Sequence, residues 1–275
     1  MAFAEINGFK MYFEEHGPAK EEAETFLLIM GFGGNATAWA TVIPVLSERY
    51  HVVAFDNRGA GRSDLPDLPA YTMPMMADDA IGLLTHLGIE RAHVWGVSMG
   101  GMIAQEVVLR HPERVLTLTL GCTTPGGAGN VQTDPADAAE FFRLGTLPPE
   151  EAIVAGLPML YSQAFVDANR ERLIEQGMAN AKLRASEDAR KRQFAGIMSH
   201  DTVARLGQIK TPTLVVTGTG DRVVNAANSK RLVDGIPGAE LIEYPGVGHG
   251  YFTEVGEQTT REVMDFAARH SPVPA

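Results

Sequence analysis

Short apolar runs alternate along the chain with longer stretches in which apolar and polar residues recur at helical spacing. This alternation is typical of an α/β protein, in which buried parallel strands are joined by helices. The apolar runs predict six strands: Thr25–Met30, His51–Phe55, Ala92–Val97, Val115–Leu120, Thr213–Thr217 and Glu240–Tyr244. The amphipathic stretches predict five helices: Thr37–Arg49, Met75–Leu87, Met99–Arg110, Ala226–Ile236 and Thr253–Arg269.

Two departures from the alternation predict the domain organisation. Near the start, the runs Phe3–Ile6 and Lys10–Glu15 flank Asn7-Gly8, a dipeptide that favours a tight turn, so we expect an antiparallel hairpin at one edge of the sheet. From Thr123 to Leu206 there is no convincing strand, only helical segments interrupted by glycine and proline. We therefore interpret residues 1–122 and 207–275 as one core domain and residues 123–206 as a helical insertion.

Composition is compatible with this architecture and excludes several partners. The 275 residues are 45% hydrophobic, which is enough for a substantial core. Acidic residues outnumber basic ones by 34 to 23, and the net charge of −11 repels phosphate backbones and anionic lipids, so we expect no nucleic-acid or membrane partner. Cys122 is the single cysteine, which excludes an internal disulfide. The first ten residues do not resemble a secretory signal, and a cytoplasmic protein is expected.

The segment Gly96-Val97-Ser98-Met99-Gly100 lies between a predicted strand and a predicted helix. G-x-S-x-G in this position forms the sharp turn that exposes a nucleophilic serine. Such a turn strains the serine backbone and crowds its neighbours, which explains the glycines on both sides. We therefore predict that Ser98 is a nucleophile and that the N–H of Met99, at a helix N-terminus, favours nearby negative charge.

His249 is the best candidate for a general base among eight histidines. It lies in a glycine-rich loop after the last predicted strand, from which it can reach a hydroxyl contributed by a distant part of the chain. Asp221 follows the strand Thr213–Thr217 in the same way and can orient the imidazole. The strand Val115–Leu120 is followed by no carboxylate. Two weaker alternatives for the acid lie inside the insertion: Asp134 and Asp137.

A second glycine-rich loop, Gly31-Phe32-Gly33-Gly34, follows the strand Thr25–Met30. Backbone N–H groups in such a loop can turn toward a developing oxyanion, and we expect those of Phe32 and Met99 to form an oxyanion hole. Phosphate binding is the alternative use of such glycines, but neither G-K-[ST] nor G-x-G-x-x-G is present.

With these motifs in this order, the chain resembles the α/β-hydrolase superfamily over nearly its whole length. A further match is the turn from Phe55 to Asp64, whose role in that family is mainly structural. The chain is similar to small serine esterases, cofactor-free haloperoxidase-like (perhydrolase) enzymes and polyketide methyl esterases. The resemblance implies a mostly parallel sheet flanked by helices, with residues 123–206 as a helical cap above the active site. It departs from the family at Met30, where a histidine is frequent, and at Gly250 and Tyr251, where carbon–carbon bond hydrolases have tryptophan.

These features predict acyl transfer to Ser98 from a small-molecule carboxylic ester or lactone, with His249 as general base and acid, Asp221 orienting it, and neither metal nor organic cofactor. Perhydrolysis on the same residues is one alternative, and a slow-turnover ligand receptor on a hydrolase scaffold is another. Apolar residues of the insertion are candidates for pocket walls, although their helical spacing favours packing: Phe141, Phe142, Met159, Leu160, Tyr161 and Phe165.

Overall fold

A computed structural model describes residues 2–271 of the protein. Eight strands form one sheet in the order β1-β2-β4-β3-β5-β6-β7-β8. The strands are β1 Ala2–Ile6, β2 Phe9–His16, β3 Thr25–Ile29, β4 His51–Phe55, β5 Ala92–Val97, β6 Val115–Gly121, β7 Thr213–Gly218 and β8 Glu240–Tyr244. The α-helices are α1 Ile43–Leu46, α2 Met73–His86, α3 Met99–Arg110, α4 Pro135–Thr146, α5 Pro149–Leu160, α6 Gln163–Ala179, α7 Glu187–Met198, α8 Ala227–Gly235, α9 Tyr251–Glu254 and α10 Gly256–His270.

Each of the six strands predicted from apolar runs is present, with ends that differ by at most one residue. Strands β3 to β8 pair in parallel, whereas β1 and β2 form the expected antiparallel hairpin at the edge. Its turn places Asn7 at φ 47° and Gly8 at φ 82°, the backbone region that Asn-Gly tolerates best. The mostly parallel sheet of an α/β hydrolase is therefore confirmed.

The sheet is covered on both faces, which explains why its central strands read as continuous apolar runs. Alternate residues of β3 point to opposite faces. Leu27 and Ile29 belong to one buried cluster, which includes side chains of α2, α3 and α8. Phe26 and Leu28 belong to the other, which includes side chains of α1 and α10.

Two of the predicted helices are shorter than the sequence pattern suggested. The stretch Thr37–Arg49 is a 3-10 turn at Ala36–Trp39 followed by the four-residue α1. Pro44 lacks an N–H and its ring crowds the preceding helical turn, so it disfavours a helix interior and instead lies in the first turn of α1. The stretch Thr253–Arg269 is divided into α9 and α10 at Val255, whose backbone has φ −120° and ψ 35°.

The segment between β6 and β7 is helical, as expected, and contributes no strand to the sheet anywhere between residues 122 and 212. Helices α4, α5 and α6 precede α7, which is attached to the sheet domain most closely. The Arg192 carbonyl accepts the Tyr71 N–H at 3.0 Å, and Gln193 Nε2 donates to the Arg58 carbonyl at 3.2 Å. At Gly196 an added Cβ would overlap the Tyr71 carbonyl oxygen, so α7 approaches the sheet domain at backbone distance.

Candidate active site

Ser98 occupies the turn between β5 and α3, with φ 56° and ψ −124°. This is a rare conformation for a residue with a side chain, and it projects the serine from the carboxyl end of the sheet. The neighbouring glycines have no room for a side chain. A Cβ on Gly96 would overlap the Gly100 carbonyl, and a Cβ on Gly100 would overlap the Ile29 carbonyl. The strain predicted at this turn is therefore present.

Asp221 and His249 approach from two loops at the same edge of the sheet. Asp221 follows β7 and His249 follows β8, so both leave the carboxyl ends of adjacent parallel strands. Asp221 Oδ2 lies 2.7 Å from His249 Nδ1, a charge-assisted hydrogen bond in length. Neither alternative acid takes this position. Asp137 pairs with Arg222, and Asp134 caps α4 by accepting the Ala136 N–H.

The environment of His249 favours its protonated form. Burial of the imidazole opposes protonation, but the Asp221 carboxylate and, to a lesser extent, the neighbouring Cys122 together hold the pKa of His249 well above its usual value. The loop itself is fixed by the helical segment, because the Gly250 N–H donates to the Leu160 carbonyl at 2.7 Å. With Nδ1 held by Asp221, Nε2 is the imidazole nitrogen that faces away from the carboxylate.

Cys122 is a site residue that sequence reasoning missed. It directly follows β6, has φ 41° and is 1% exposed, and its Sγ lies 4.0 Å from His249 Nε2. Burial raises the pKa of the thiol, while the nearby His249 and the Ser98 backbone N–H act in the opposite direction. Cys122 thus contacts the His249 imidazole on one side and the Ser98 backbone on the other. Within residues 2–271 the Ser98 hydroxyl has no hydrogen-bond partner, so the serine–histidine bond itself is not formed.

Cys122, Asp221 and His249 place one potential ligand atom each within 4.8 Å of one another, the one such group in the described part of the chain. Its geometry is that of an aspartate–histidine pair beside a thiol, because the Asp221 carboxylate is already engaged. Asp221 Oδ1 accepts the N–H groups of Val223 and Val224 at 2.8 and 2.9 Å, and Oδ2 contacts the imidazole. These contacts fix the imidazole and leave the Asp221 carboxylate fully engaged.

The loop after β3 lies directly against the serine. A Cβ on Gly31 would be 2.9 Å from Ser98 Cβ. This glycine therefore allows the loop to contact the turn Gly96–Gly100 that carries Ser98, called the elbow below. The backbone N–H groups around Ser98 differ in whether they have a hydrogen-bond acceptor. Gly33 N–H donates to Gln193 Oε1 at 2.9 Å, whereas those of Phe32 and Met99 have no acceptor among residues 2–271. Both N–H groups can therefore donate to an acceptor from outside the described chain.

The turn from Phe55 to Asp64 supports that loop from behind. Asp56 accepts the Ala36 N–H at 2.7 Å and pairs with Arg62 at 2.8 Å, and Asn57 Nδ2 donates to the Met30 carbonyl at 2.9 Å. Arg58 pairs with Asp79 in the interior. These contacts brace the loop, and none of them involves Ser98, Asp221 or His249.

A cavity of about 700 Å³ opens between His249 and the helical segment. Phe32 lines it from the sheet domain, and α4 to α7 supply most of the other walls. Among the apolar residues singled out in the sequence, all but Phe165 line the cavity. Phe165 instead packs against Tyr161 with the two rings tilted by 48° and their centroids 5.5 Å apart. The cavity is large enough for a drug-sized organic molecule.

Comparison with known proteins establishes the family. The sequence profile described as the alpha/beta hydrolase fold matches residues 24–254 of this chain. The chain belongs to the α/β-hydrolase family. It is a hydrolase of that fold, because the relatives that it matches over nearly their whole length are named as hydrolases. One of them, named "Putative carbamate hydrolase RutD", from Caulobacter sp. (strain K31), is 31% identical over 93% of this chain and 95% of its own length.

Two solved structures have closely similar folds. One is described as Est816, an N-acyl homoserine lactone degrading enzyme, with a TM-score of 0.81 and 29% identity over 96% of this chain and 100% of its own. The other is the enol-lactonase from Burkholderia xenovorans LB400, with a TM-score of 0.84 and 24% identity over 96% of this chain and 99% of its own. The second likeness concerns the fold alone. No helix within residues 2–271 combines the length and apolar character needed to cross a bilayer.

Proposed function

We propose that this hydrolase cleaves a carboxylic ester or lactone through a covalent acyl-enzyme on Ser98. The observation that carries the proposal is the 2.7 Å contact between Asp221 Oδ2 and His249 Nδ1 beside a strained, partly exposed serine. A carboxylate at Nδ1 fixes the tautomer in which Nε2 can accept a proton. In a free enzyme the serine–histidine contact is often long and shortens when substrate binds.

In the proposed reaction, Ser98 Oγ attacks the substrate carbonyl carbon while His249 Nε2 takes the hydroxyl proton. The carbonyl oxygen becomes an oxyanion, which the N–H groups of Phe32 and Met99 stabilise. As the C–O bond to the leaving group breaks, His249 returns the proton to the leaving oxygen. Water then attacks the acyl-enzyme by the same route and releases the acid. A lactone differs only in that its leaving alcohol stays attached to the acyl chain.

We also propose that residues 123–206 act as a cap that shapes substrate access. Helices α4, α5 and α6 supply walls of the cavity, and the apolar cluster of Leu157, Val166 and Leu173 lies apart from the two clusters of the sheet. Insertions at the carboxyl ends of strands commonly determine specificity while the sheet holds the reacting groups. We propose a small molecule as the substrate and the cytoplasm as the place of action.

Carbamate hydrolysis is a second candidate, favoured by the printed name of the relatives that are 31% identical over nearly the whole chain. A carbamate carbonyl can be attacked by the same serine and held by the same N–H groups. The leaving group then departs as an amine or an alcohol, and His249 supplies its proton in either case. Direct comparison of matched esters, lactones and carbamates distinguishes these substrates.

Phosphonate labelling combined with turnover tests the proposal. A fluorophosphonate should form one adduct, located on Ser98 by peptide mapping, because phosphonates mimic the tetrahedral state that the oxyanion donors hold. Ser98→Ala and His249→Ala should each lower kcat by roughly 10³-fold or more, and the double variant should be scarcely worse, because the residues act as a unit. His86→Ala, on an exposed helix end, is the matched control. Clean labelling without multiple turnovers on any ester, lactone or carbamate would favour a ligand receptor instead.

A further inference from the structure

Two arginines of the helical segment line the cavity without a carboxylate partner. Arg184 and Arg190 are both half-buried, and neither forms an ion pair within the described residues. Elsewhere in the described chain, three of the four half-buried arginines have one: Arg62, Arg192 and Arg205. The fourth, Arg114, donates to two backbone carbonyls instead. A guanidinium that is partly removed from water normally acquires a counter-ion, so the unpaired state of this pair needs an explanation.

The position of Arg190 connects this pair to the reacting groups. Its Cγ and Cδ lie 3.9 Å from where a Cβ on Gly33 would be. Its aliphatic stem therefore passes over the loop Gly31-Phe32-Gly33-Gly34, called the oxyanion loop below. Its Nη2 donates to the Gly145 carbonyl at 3.3 Å, which leaves other donors of the guanidinium unused. The anchoring of Gln193 to the Gly33 N–H holds α7, and therefore Arg190, in this place.

Electrostatics across the cavity wall points in the same direction. Burial and the neighbouring Arg190 both lower the pKa of Arg184, as expected for two like charges that lie close together. Glu187 is the one carboxylate among the cavity-lining residues of the described chain. It is exposed and pairs with Lys191 at 2.7 Å, and its pKa is lowered mainly by Lys191 and to a lesser degree by the charge of Arg190. The wall is therefore locally positive in a protein whose net charge is −11.

We propose that Arg184 and Arg190 bind an anionic oxygen group of the substrate, a carboxylate or a phosphate, beside the oxyanion loop. Arginine suits this role because its planar fork of donors matches such oxygens. The inference rests on the proposed function, since it identifies the class of ester or lactone that the same site accepts. That class carries an anionic group on one side of the scissile carbonyl and an apolar portion on the other.

The remaining cavity wall fits the apolar portion. It is formed mainly by aromatic and aliphatic side chains of α4, α5 and α7, among them Phe141, Phe142, Leu144, Ile153, Leu157 and Phe194. Burial of an apolar arm against such a surface contributes about 0.8 kcal/mol for each methylene group. A substrate with both an anionic and an apolar part would therefore use both halves of the cavity.

Matched activated esters test the proposal. The substrates are p-nitrophenyl hydrogen adipate, its neutral methyl ester, and a phosphonate-terminated ester of the same length. At constant ionic strength we expect the wild-type kcat/KM to be at least ~10-fold higher for one of the anionic esters than for the neutral one, since a good charged contact of this kind is worth about a factor of 10. Whichever anion is preferred identifies the group that the arginines recognise.

The variants Arg184→Gln and Arg190→Gln should each lower the ratio of anionic to neutral kcat/KM, and the double variant should lower it by ~10-fold or more. Their melting temperatures should not fall, because removing two unpaired like charges relieves repulsion. Arg170→Gln is the matched control, because Arg170 is exposed on α6 and does not line the cavity. A ratio that the double variant leaves unchanged would overturn the inference.

Binding separates failure of this inference from failure of the proposed function. Calorimetric titration of Ser98→Ala with adipate requires no turnover, and it should detect binding that the added double arginine replacement abolishes. If neutral esters turn over but anionic ones show no preference and adipate does not bind, the serine mechanism stands and the anion site is wrong. If adipate binds through the arginines while no ester turns over, the anion site stands and the serine mechanism is wrong.

Discussion

Oδ2 of Asp221 lies 2.7 Å from Nδ1 of His249, and the other oxygen of the same carboxylate accepts two backbone N–H groups from residues 223 and 224. The loop after β7 therefore orients the carboxylate before the carboxylate orients the imidazole. The negative charge of this carboxylate also affects the protonation of the imidazole. Despite its burial, His249 has a pKa well above the usual value, because the Asp221 carboxylate and, less strongly, Cys122 favour the protonated form.

The raised pKa of His249 predicts the pH profile. Only the neutral imidazole can accept the Ser98 proton, so kcat/KM should rise with pH through the pKa of His249, with a midpoint above about 6.5, the ordinary value for histidine. In Asp221→Asn the charge that raises this pKa is lost, and the midpoint should move to lower pH. The maximal kcat should also fall, by up to ~10⁴-fold, because asparagine favours the wrong tautomer.

Initial rates across pH 5 to about 9 would measure both effects. Asp234→Asn is the matched control, because Asp234 is an exposed residue that pairs only with Lys230. Its profile should coincide with that of the wild type. A midpoint that stays in place in Asp221→Asn would mean that the carboxylate does not control the imidazole.

Much of the fold follows from the sequence because the central strands are buried on both faces. An apolar run such as His51–Phe55 can then hardly begin or end elsewhere, and its observed bounds are the predicted ones. The prediction of one helix over Thr37–Arg49 was wrong because it rested on the amphipathic pattern alone. The pattern does not register that Pro44 disfavours the interior of a helix. Periodicity identifies the face that a segment buries, whereas proline geometry decides whether a helix continues.

The candidate site is predictable where a motif fixes local geometry. Ser98 in G-x-S-x-G is such a case, because the backbone of the elbow is local in sequence. Cys122 is not, since its place beside His249 depends on where β6 ends relative to a loop 127 residues away. Arg190 is a further example, because its closeness to Gly33 depends on how α7 packs against the sheet domain. Neither residue lies in a recognisable pattern.

The elbow glycine Gly100 makes a prediction about stability. In Gly100→Ala the new Cβ would overlap the Ile29 carbonyl, so β3 and α3 would have to move apart. Overpacking of this kind costs about 1–3 kcal/mol, and the melting temperature should fall by several degrees. Gly207→Ala is the matched control, because a Cβ there meets nothing within 4 Å. Equal melting temperatures for the two variants would contradict the close packing at the elbow.

Cys122 makes a prediction about thiol chemistry. It lies beside the base, yet it is 1% exposed and its pKa is raised by burial, so its thiol should be unreactive in the folded protein. We expect iodoacetamide to leave ester hydrolysis unchanged and to label Cys122 only after denaturation, as followed by peptide mass spectrometry. Stoichiometric inactivation by iodoacetamide of the native protein would instead make Cys122 the better candidate for the nucleophile.

We predict that only part of the helical segment can be removed without unfolding the sheet domain. Replacing residues 135–183 with a flexible linker removes α4, α5 and α6, whose apolar cluster is separate from those of the sheet. We expect the shortened protein to retain a cooperative unfolding transition. Its kcat should fall, because the loop of His249 loses the carbonyl of Leu160 as a partner of the Gly250 N–H. Its selectivity among acyl chain lengths should also fall, because the cavity loses most of its apolar wall.

The longer replacement of residues 135–198 is the informative comparison, because it also removes α7. Gln193 of that helix is fully buried; its side chain accepts the Gly33 N–H and donates to the Arg58 carbonyl. The backbone carbonyl of Arg192 accepts the Tyr71 N–H. Losing these partners leaves buried polar groups unsatisfied at a cost of about 1–3 kcal/mol each, so this protein should be insoluble or lack a cooperative transition. Circular dichroism during heating measures both outcomes. If the shorter replacement unfolds as well, α4, α5 and α6 belong to the folding core. If both replacements fold, the sheet domain does not need α7 in order to fold.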